Sequence, residues 1–303
     1  MNRLITVAGI GEILWDVLED NEKLGGAPIN FAYHINALGG RGVPISTVGE
    51  DERGRRALAE LANHGLATET ISKTPFFETG YVQVTMDKNG VPSYDFASDT
   101  AWDHLILDKQ LLSKTDSYQG VCFGTLAQRS EQSRRAIYSF IDALPPNALR
   151  ICDLNLRRPF YSREIIEACL AKANILKLSE EELQVIGAMF SLDGSDEAVL
   201  RELIARHLLD MTILTRGPEG CLLLSDDERA ELPGIPCSVV DTIGAGDAFT
   251  AATTLGMLLG RPLAAIADHA NHLAAYVCTC QGAMPQIPDE LKLLNMPSPS
   301  SIV

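Results

Sequence analysis

The chain is poor in positive charge. Its 303 residues carry 25 Lys and Arg against 40 Asp and Glu, a formal charge of −15. That balance argues against a nucleic-acid partner, because phosphate backbones demand a basic face. Long apolar runs are also missing. None reaches the roughly 18 residues of a membrane span, and the best candidate, residues 248–260, is too short and holds three Thr. A membrane partner is therefore not expected. The opening residues 1–9 read as a buried strand and not as a leader peptide. The seven Cys are an odd number with no C-x-x-C pair, and Cys278 and Cys280 stand only two apart. Neither a disulfide framework nor a zinc site follows, and reduced thiols in a cytoplasmic protein are expected. The serine-nucleophile pattern G-x-S-x-G is absent. A G-x-G follows the first strand at Gly9–Gly11, but Leu14 stands where a third Gly belongs and Phe31 where an acid should be. A dinucleotide-dependent dehydrogenase is set aside on that ground. His269 and His272 lie three apart without a third ligand and read as ordinary helix residues.

What is present is apolar substance in regular order. Hydrophobic residues make up 46% of the chain and charged ones 21%, which supports a sizeable core and excludes disorder. Apolar runs of strand length alternate with helix-length patterns: 4–10 then 27–38, 44–48 then 51–64, and again from 120 to 215. Two apolar helices, 247–259 and 263–280, close the series. This rhythm predicts one α/β domain over 1–303, with a mostly parallel sheet between helix layers.

Residues 79–96 break the rhythm. Residues 79–86 alternate with period two, 87–90 offer turn residues, and 91–96 return. A hairpin with no following helix predicts a projecting flap, with Pro92 at an edge. Segments 12–25 and 76–100 are the expected lid.

Two Gly-rich segments carry the chemistry. Asp241-Thr-Ile-Gly-Ala-Gly-Asp-Ala-Phe249 follows an apolar pair and opens a helix. Gly244 and Gly246 remove side chains where the backbone must curl, so several N–H groups converge at a helix N-terminus and make an anion site. Asp247 stands at its mouth. Either it caps the helix, or it accepts a proton from an attacking hydroxyl while the nest holds a phosphoryl group. Gly25-Gly-Ala-Pro-Ile-Asn-Phe-Ala32 precedes another helix, with Asn30 in the first turns. Asn is a poor helix former and its presence suggests a contact, although a Gly-rich turn with an exposed Asn is the better reading of this segment taken alone.

Together these segments resemble the signatures of the phosphofructokinase B (ribokinase-like) family of carbohydrate kinases, and the resemblance extends over nearly the whole chain. Glu12-Ile-Leu-Trp-Asp16 is similar to the G-E-x-L-x-D opening of fructokinase-like members. Gly124-Thr-Leu-Ala-Gln-Arg129 and Asp153-Leu-Asn-Leu-Arg157 match further family stretches. Lys177-Leu-Ser-Glu-Glu-Glu182 follows the K-x-N-x-x-E region with Ser179 in place of Asn. Thr215-Arg-Gly-Pro-Glu-Gly220 looks like the nucleotide loop, and Asn271 to Ala283 like the helix and turn over adenine.

The resemblance implies a ribokinase-like three-layer α/β sandwich with a small β lid. It implies transfer of the ATP γ-phosphate to a sugar hydroxymethyl oxygen, most simply D-fructose to D-fructose 6-phosphate. Ribose, 2-keto-3-deoxygluconate or a nucleoside are alternative acceptors, and a sugar sensor without catalysis is a further alternative. By the same resemblance Asp247 is the base, Gly244, Ala245 and Gly246 form the anion hole, and Arg157 is the electrophile on the phosphate. Asp16, Gly25, Gly26, Asn30, Phe96, Arg129 and Asn155 would bind sugar. Lys177, Thr215, Gly217, Gly220 and Asn271 would bind ATP. Glu182 would hold Mg²⁺, and Asp241 would belong to a K⁺ site. An exposed apolar face on the lid is expected to pair two subunits in a homodimer. Since the lid segment 76–100 offers only Lys88 as a cation, an uncharged acceptor is favoured over a sugar phosphate.

Overall fold

The computed structural model describes residues 4–18, 21–86 and 92–292. The chain enters through β1 (Thr6–Ile10), then β2 (Leu14–Leu18), β3 (Asn21–Gly25), α1 (Ala27–Ala37), β4 (Arg41–Gly49), α2 (Glu52–Asn63) and β5 (Ile71–Thr74). It continues with β6 (Gly80–Met86), β7 (Pro92–Phe96), the short α3 (Lys109–Leu112), β8 (Gly120–Phe123), α4 (Glu131–Asp142) and β9 (Leu149–Asp153). Then come α5 (Arg163–Lys172), β10 (Ile175–Ser179), α6 (Glu180–Phe190), α7 (Asp196–His207), β11 (Met211–Thr215), β12 (Cys221–Leu224), β13 (Arg229–Leu232), α8 (Ala245–Leu258) and α9 (Leu263–Cys278).

A nine-stranded sheet runs in the order β13-β12-β11-β10-β9-β8-β1-β4-β5. Its strands from β5 to β11 are parallel, and β12 and β13 add an antiparallel edge. The apolar runs follow from burial on both faces. In β10, Ile175 packs into one layer and Leu176 and Leu178 into the other. The first layer is built by α1, α8 and α9, through residues such as Phe31, Phe249 and Leu273. The second is built by α4 to α7, through residues such as Phe140, Leu170 and Leu203. Each such side chain contributes about 1.5–3 kcal/mol when fully buried. No described helix is long and apolar enough to cross a membrane.

The flap draws strands from both segments 12–25 and 76–100. Besides the β6–β7 hairpin it includes β2 and β3, giving a four-stranded sheet in the order β3-β2-β6-β7. Pro92 lies on the edge strand, as a residue without an N–H should. The turn at 87–90 with Lys88, and the tail at 296–303, lie outside the described residues.

The flap is moored at its start. Asp51 caps α2 by accepting from the Gly54 N–H at 2.7 Å, and it also accepts from Thr79 N–H at 2.7 Å and Thr79 Oγ1 at 2.8 Å. Burial pushes its carboxyl up, but these three hydrogen bonds outweigh it and hold the group below the usual carboxylate range. The sheet order reverses at β1, which has β4 on one side and β8 on the other. In parallel α/β sheets a crevice opens at that point, outside the carboxyl ends of the strands.

Candidate active site

A cavity of about 440 Å³ lies there, between the large sheet and the flap. Its floor comes from the ends of β1, β9 and β10 through Glu12, Asp153, Asn155, Arg157 and Lys177, and from the N-termini of α1 and α8. The flap covers it with Asp16, Lys23 and apolar residues including Val82 and Phe96.

Glycine is required at both helix entries. Gly244, the residue before α8, has φ +80°, and a Cβ there would sit 2.7 Å from the Cα and O of Ala283. Gly26, before α1, has φ +127°, and a Cβ would fall 2.4 Å from the Glu12 carbonyl oxygen. Two further glycines make room for charge. A Cβ on Gly25 would stand 2.9 Å from Asp16 Oδ2, and one on Gly246 would stand 3.3 Å from Lys177 Nζ. With Gly244 and Gly246 bare, the N-terminus of α8 borders the cavity beside an ammonium group, its Ala245 N–H meeting the Thr242 carbonyl at 3.3 Å. That is an anion site built from backbone, helix dipole and one fixed cation.

Asp247 sits in the first turn of α8, half-buried, and accepts from Asn30 Nδ2 at 2.8 Å. Its carboxyl is pushed up to about 6 by burial and by the neighbouring Asp153, against the Asn30 hydrogen bond and the charges of Lys177 and Arg157. It does not cap α8, since no side chain caps that helix. Asp153 pairs with Lys177 at 3.0 Å and accepts from Thr250 Oγ1 at 2.9 Å. Burial opposes the Lys177 charge, but Asp153 and Glu182 outweigh it and raise the group, so it stays protonated. Arg157 is exposed on the rim and forms no ion pair among the described residues; its guanidinium reaches only the Leu156 carbonyl, at 3.5 Å. It is free to meet an anion. Asp16 is raised by burial and lowered by Arg157 and Lys23, with a net upward shift. Asn155 takes the left-handed φ of +43°, which Asn tolerates better than most residues.

Glu12 escaped the sequence reading as a site residue. It is 2% exposed, it lines the cavity, and its Oε2 has no partner. Burial raises its carboxyl to about 7, helped by the charge of Asp247 and opposed by Arg157.

Several expected roles change. Arg129 does not line the cavity. Its guanidinium donates to both oxygens of Asp103, at 2.7 and 2.6 Å, and to the Ala97 carbonyl at 2.6 Å, between the rings of Trp102 and Phe160. It pins the return of the flap; Phe160 meets Phe96 edge-on. Glu182 is not on the cavity wall either. Its oxygens accept from Leu156 N–H at 2.7 Å and Ser179 N–H at 2.8 Å, a capping box that Ser179 completes where the resemblance led one to look for Asn. Asp241 accepts from the N–H groups of Ile243 and Gly282, both at 3.1 Å, and faces Lys23 Nζ at 3.7 Å.

Thr215, Gly217, Gly220 and Asn271 lie apart from the cavity. Asn271 donates to the Pro233 carbonyl at 3.2 Å, and Gly220, at φ +95°, abuts the carbonyl of Leu232. The 232–234 segment thus joins the β11–β12 turn to α9 in one surface.

No described group of three or more His, Cys, Asp or Glu could cage a metal. That suits Mg²⁺ arriving on phosphates, since Mg²⁺ keeps several waters and needs one or two carboxylates. Asp153 and Glu182 would hold it through water, using lone pairs that their present partners leave open.

Residues 5–290 match the family described as pfkB family carbohydrate kinase. A fructokinase of Klebsiella pneumoniae is 30% identical over 298 residues, which span 92% of this chain and 95% of that protein. An uncharacterized sugar kinase of Pyrococcus horikoshii is 29% identical over 296 residues, 91% of each chain. The crystal structure of that kinase in complex with ATP superposes with a TM-score of 0.81, covering 97% of this chain and 98% of the other at 26% identity.

Proposed function

We propose D-fructose as the phosphoryl acceptor of this chain, which belongs to the pfkB family of carbohydrate kinases and is an ATP-dependent sugar kinase. The product is D-fructose 6-phosphate. The observation that carries the reading is the juxtaposition, in one cavity, of Asp247 with the bare N-terminus of α8 and the free Arg157.

The hydroxymethyl oxygen of the sugar lies against Asp247, which takes its proton as the oxygen attacks the γ-phosphorus. An alcohol is a far weaker acid than a carboxylic acid, so the proton moves late and positioning supplies most of the rate. The N–H groups at Ala245 to Asp247 and the Arg157 fork receive the charge on the transferring group. Lys177, held by Asp153, adds a fixed positive charge at the same helix end. Bound Mg²⁺ neutralises nucleotide phosphate charge. Asp16 accepts hydrogen bonds from sugar hydroxyls opposite the reacting end, with Gly25, Gly26, Asn30 and Asn155 alongside and Phe96 against an apolar face. ATP enters over the surface of Thr215, Gly217, Gly220 and Asn271.

The assignment of fructose leans on the similarity to the Klebsiella fructokinase. Ribose, 2-keto-3-deoxygluconate and a nucleoside are the competing acceptors. ADP release with Mg²⁺-ATP over a panel of these, with fructose 6-phosphate included, decides among them; a higher kcat/KM for another acceptor overturns fructose. The sensor reading requires no acceptor at all to raise ADP release. The enzyme is proposed to be cytoplasmic, in keeping with seven unpaired cysteines. It is proposed to dimerise through the flap, whose edge strand exposes Tyr94 at 54%. Size exclusion with light scattering tests the dimer.

A further inference from the structure

The anion hole has a brace behind it that no expected site residue accounts for. Along α1, Asn30, Tyr33 and His34 fall at the spacings that share one helix face. Asn30 holds Asp247. Tyr33 donates its hydroxyl to the Pro285 carbonyl at 2.8 Å, and His34 Nε2 lies 2.9 Å from the Ala283 carbonyl oxygen. A carbonyl oxygen only accepts, so Nε2 carries the hydrogen and Nδ1 is the bare nitrogen. That Nδ1 is buried with no partner, in a residue that is 0% exposed. Leaving a buried acceptor unmade is costly, yet the sequence keeps a histidine there in an otherwise apolar stretch.

Ala283 is the wall against which Gly244 rests, at the distances that forbid a Cβ. The same segment is tied to the loop twice more, by Gly282 N–H to Asp241 Oδ2 and by Val240 N–H to the Cys278 carbonyl at 2.8 Å. A chain of direct contacts therefore runs from His34 through Ala283 to Gly244, whose backbone aims the first N–H groups of α8.

We propose that His34 is a positioning residue for the anion hole: its Nε2–H fixes Ala283, and Ala283 fixes Gly244. Tyr33 is the second grip on the same segment. One face of α1 thereby sets both the base and the donors that receive the phosphoryl group. This rests on the reading of residues 244–247 as the phosphoryl site. Burial lowers His34 to about 4, so the imidazole stays neutral through the physiological range and the brace does not switch with pH there.

The test compares His34→Leu, His34→Gln and Tyr33→Phe in the full chain. Gln can present an N–H near the position of Nε2; Leu cannot. Amide hydrogen exchange of residues 242–249 should speed up about tenfold in His34→Leu, less in Tyr33→Phe, and stay within about twofold in His34→Gln. With ATP and the best acceptor, kcat should fall about tenfold in His34→Leu while the sugar KM holds within about twofold, because misplaced donors hurt the transition state more than the ground state. Should His34→Leu not fold, Tyr33→Phe and His34→Gln decide. Unchanged exchange at 242–249 in the folded Leu or Phe variant overturns the brace, whatever the wild-type activity. Faster exchange in a protein that phosphorylates no sugar keeps the brace and overturns the acceptor reading instead.

Discussion

Asn30 and Asp247, 217 positions apart, meet at 2.8 Å through Nδ2 and Oδ2. The bond turns the Asn30 carbonyl away from Asp247, and that Oδ1 is buried without a partner. Asn30→Ala removes the bond, frees the Asp247 carboxylate to rotate, and should lower kcat about 10- to 100-fold, in the range of a lost positioning contact. Asn30→Asp should be worse than Asn30→Ala, because a second carboxylate beside Asp247 raises its pKa further. Steady-state kinetics on the three proteins check the order.

Asp247→Ala or Asp247→Asn should abolish phosphoryl transfer while the circular dichroism and melting curve stay near those of the wild type. Activity within a few-fold of wild type would sink the general-base role.

The pH profile should have an acid limb near pH 6, where Asp247 takes up its proton. Glu12→Gln should leave that limb in place, because a carboxyl raised to about 7 is already mostly protonated at pH 6. A stability effect accompanies it. The Glu12 carboxyl is raised in the folded state, from 4.5 to about 7, so its protonated form is favoured by folding. Its penalty is absent below the unfolded pKa, grows as pH rises from 4.5 toward 7, and is constant above that. Glu12→Gln should thus stabilise the protein at pH 8, by about 3 kcal/mol at most by the size of the shift, and not at pH 4. Thermal melts at the two pH values check this, and equal shifts at both would contradict it.

Arg129→Ala leaves Asp103 buried without its partner and frees the Ala97 carbonyl. A broken buried pair costs about 3–5 kcal/mol, so denaturant melts should show a large loss. In whatever folded protein remains at low temperature, the sugar KM should rise more than the ATP KM, because the flap and Phe96 lose their pin.

Asp51→Ala removes an N-cap, which costs about 0.5–2 kcal/mol, together with the two bonds to Thr79. The wild-type carboxyl is held low in the folded state, so its contribution is present above the unfolded pKa and lost as pH falls through the folded one. The difference in melting temperature between wild type and variant should be largest at neutral pH and shrink on acidification.

The alternation of strands and helices was legible because most elements are buried on a face that periodicity reports. The hairpin at 79–96 was legible because its turn residues and period agree. β2 and β3 were not read as strands. Asn21, Glu22 and Lys23 carry no apolar alternation, and β2 finds its parallel partner β6 more than sixty residues downstream. The signature residues Asp247, Gly244 and Asn30 were found because glycine placement and spacing mark them. Glu12 was passed over because its burial comes from the N-terminus of α1, a tertiary effect. Arg129 was assigned to the sugar because nothing local announces that Asp103, in the 101–104 turn, will claim it. Glu182 has a local duty that its motif spells out: with Ser179 it makes a capping box, and its remaining lone pairs leave it able to hold Mg²⁺ through water.

Lys23 belongs to the flap and Asp241 to the loop that opens α8, and they face each other at 3.7 Å. Lys23 also acts on Asp16, the residue placed to receive sugar hydroxyls. Lys23 thus faces both the proposed sugar-binding carboxylate and the loop before α8. If a seated sugar draws the flap down and strengthens the Lys23–Asp241 contact, it prepares the loop for phosphate. Thermodynamic reciprocity then requires ATP to tighten sugar binding by the same factor. An enzyme wired in this way binds its second substrate best once the first is in place, and leaves ATP least committed when no acceptor is there to receive the phosphate.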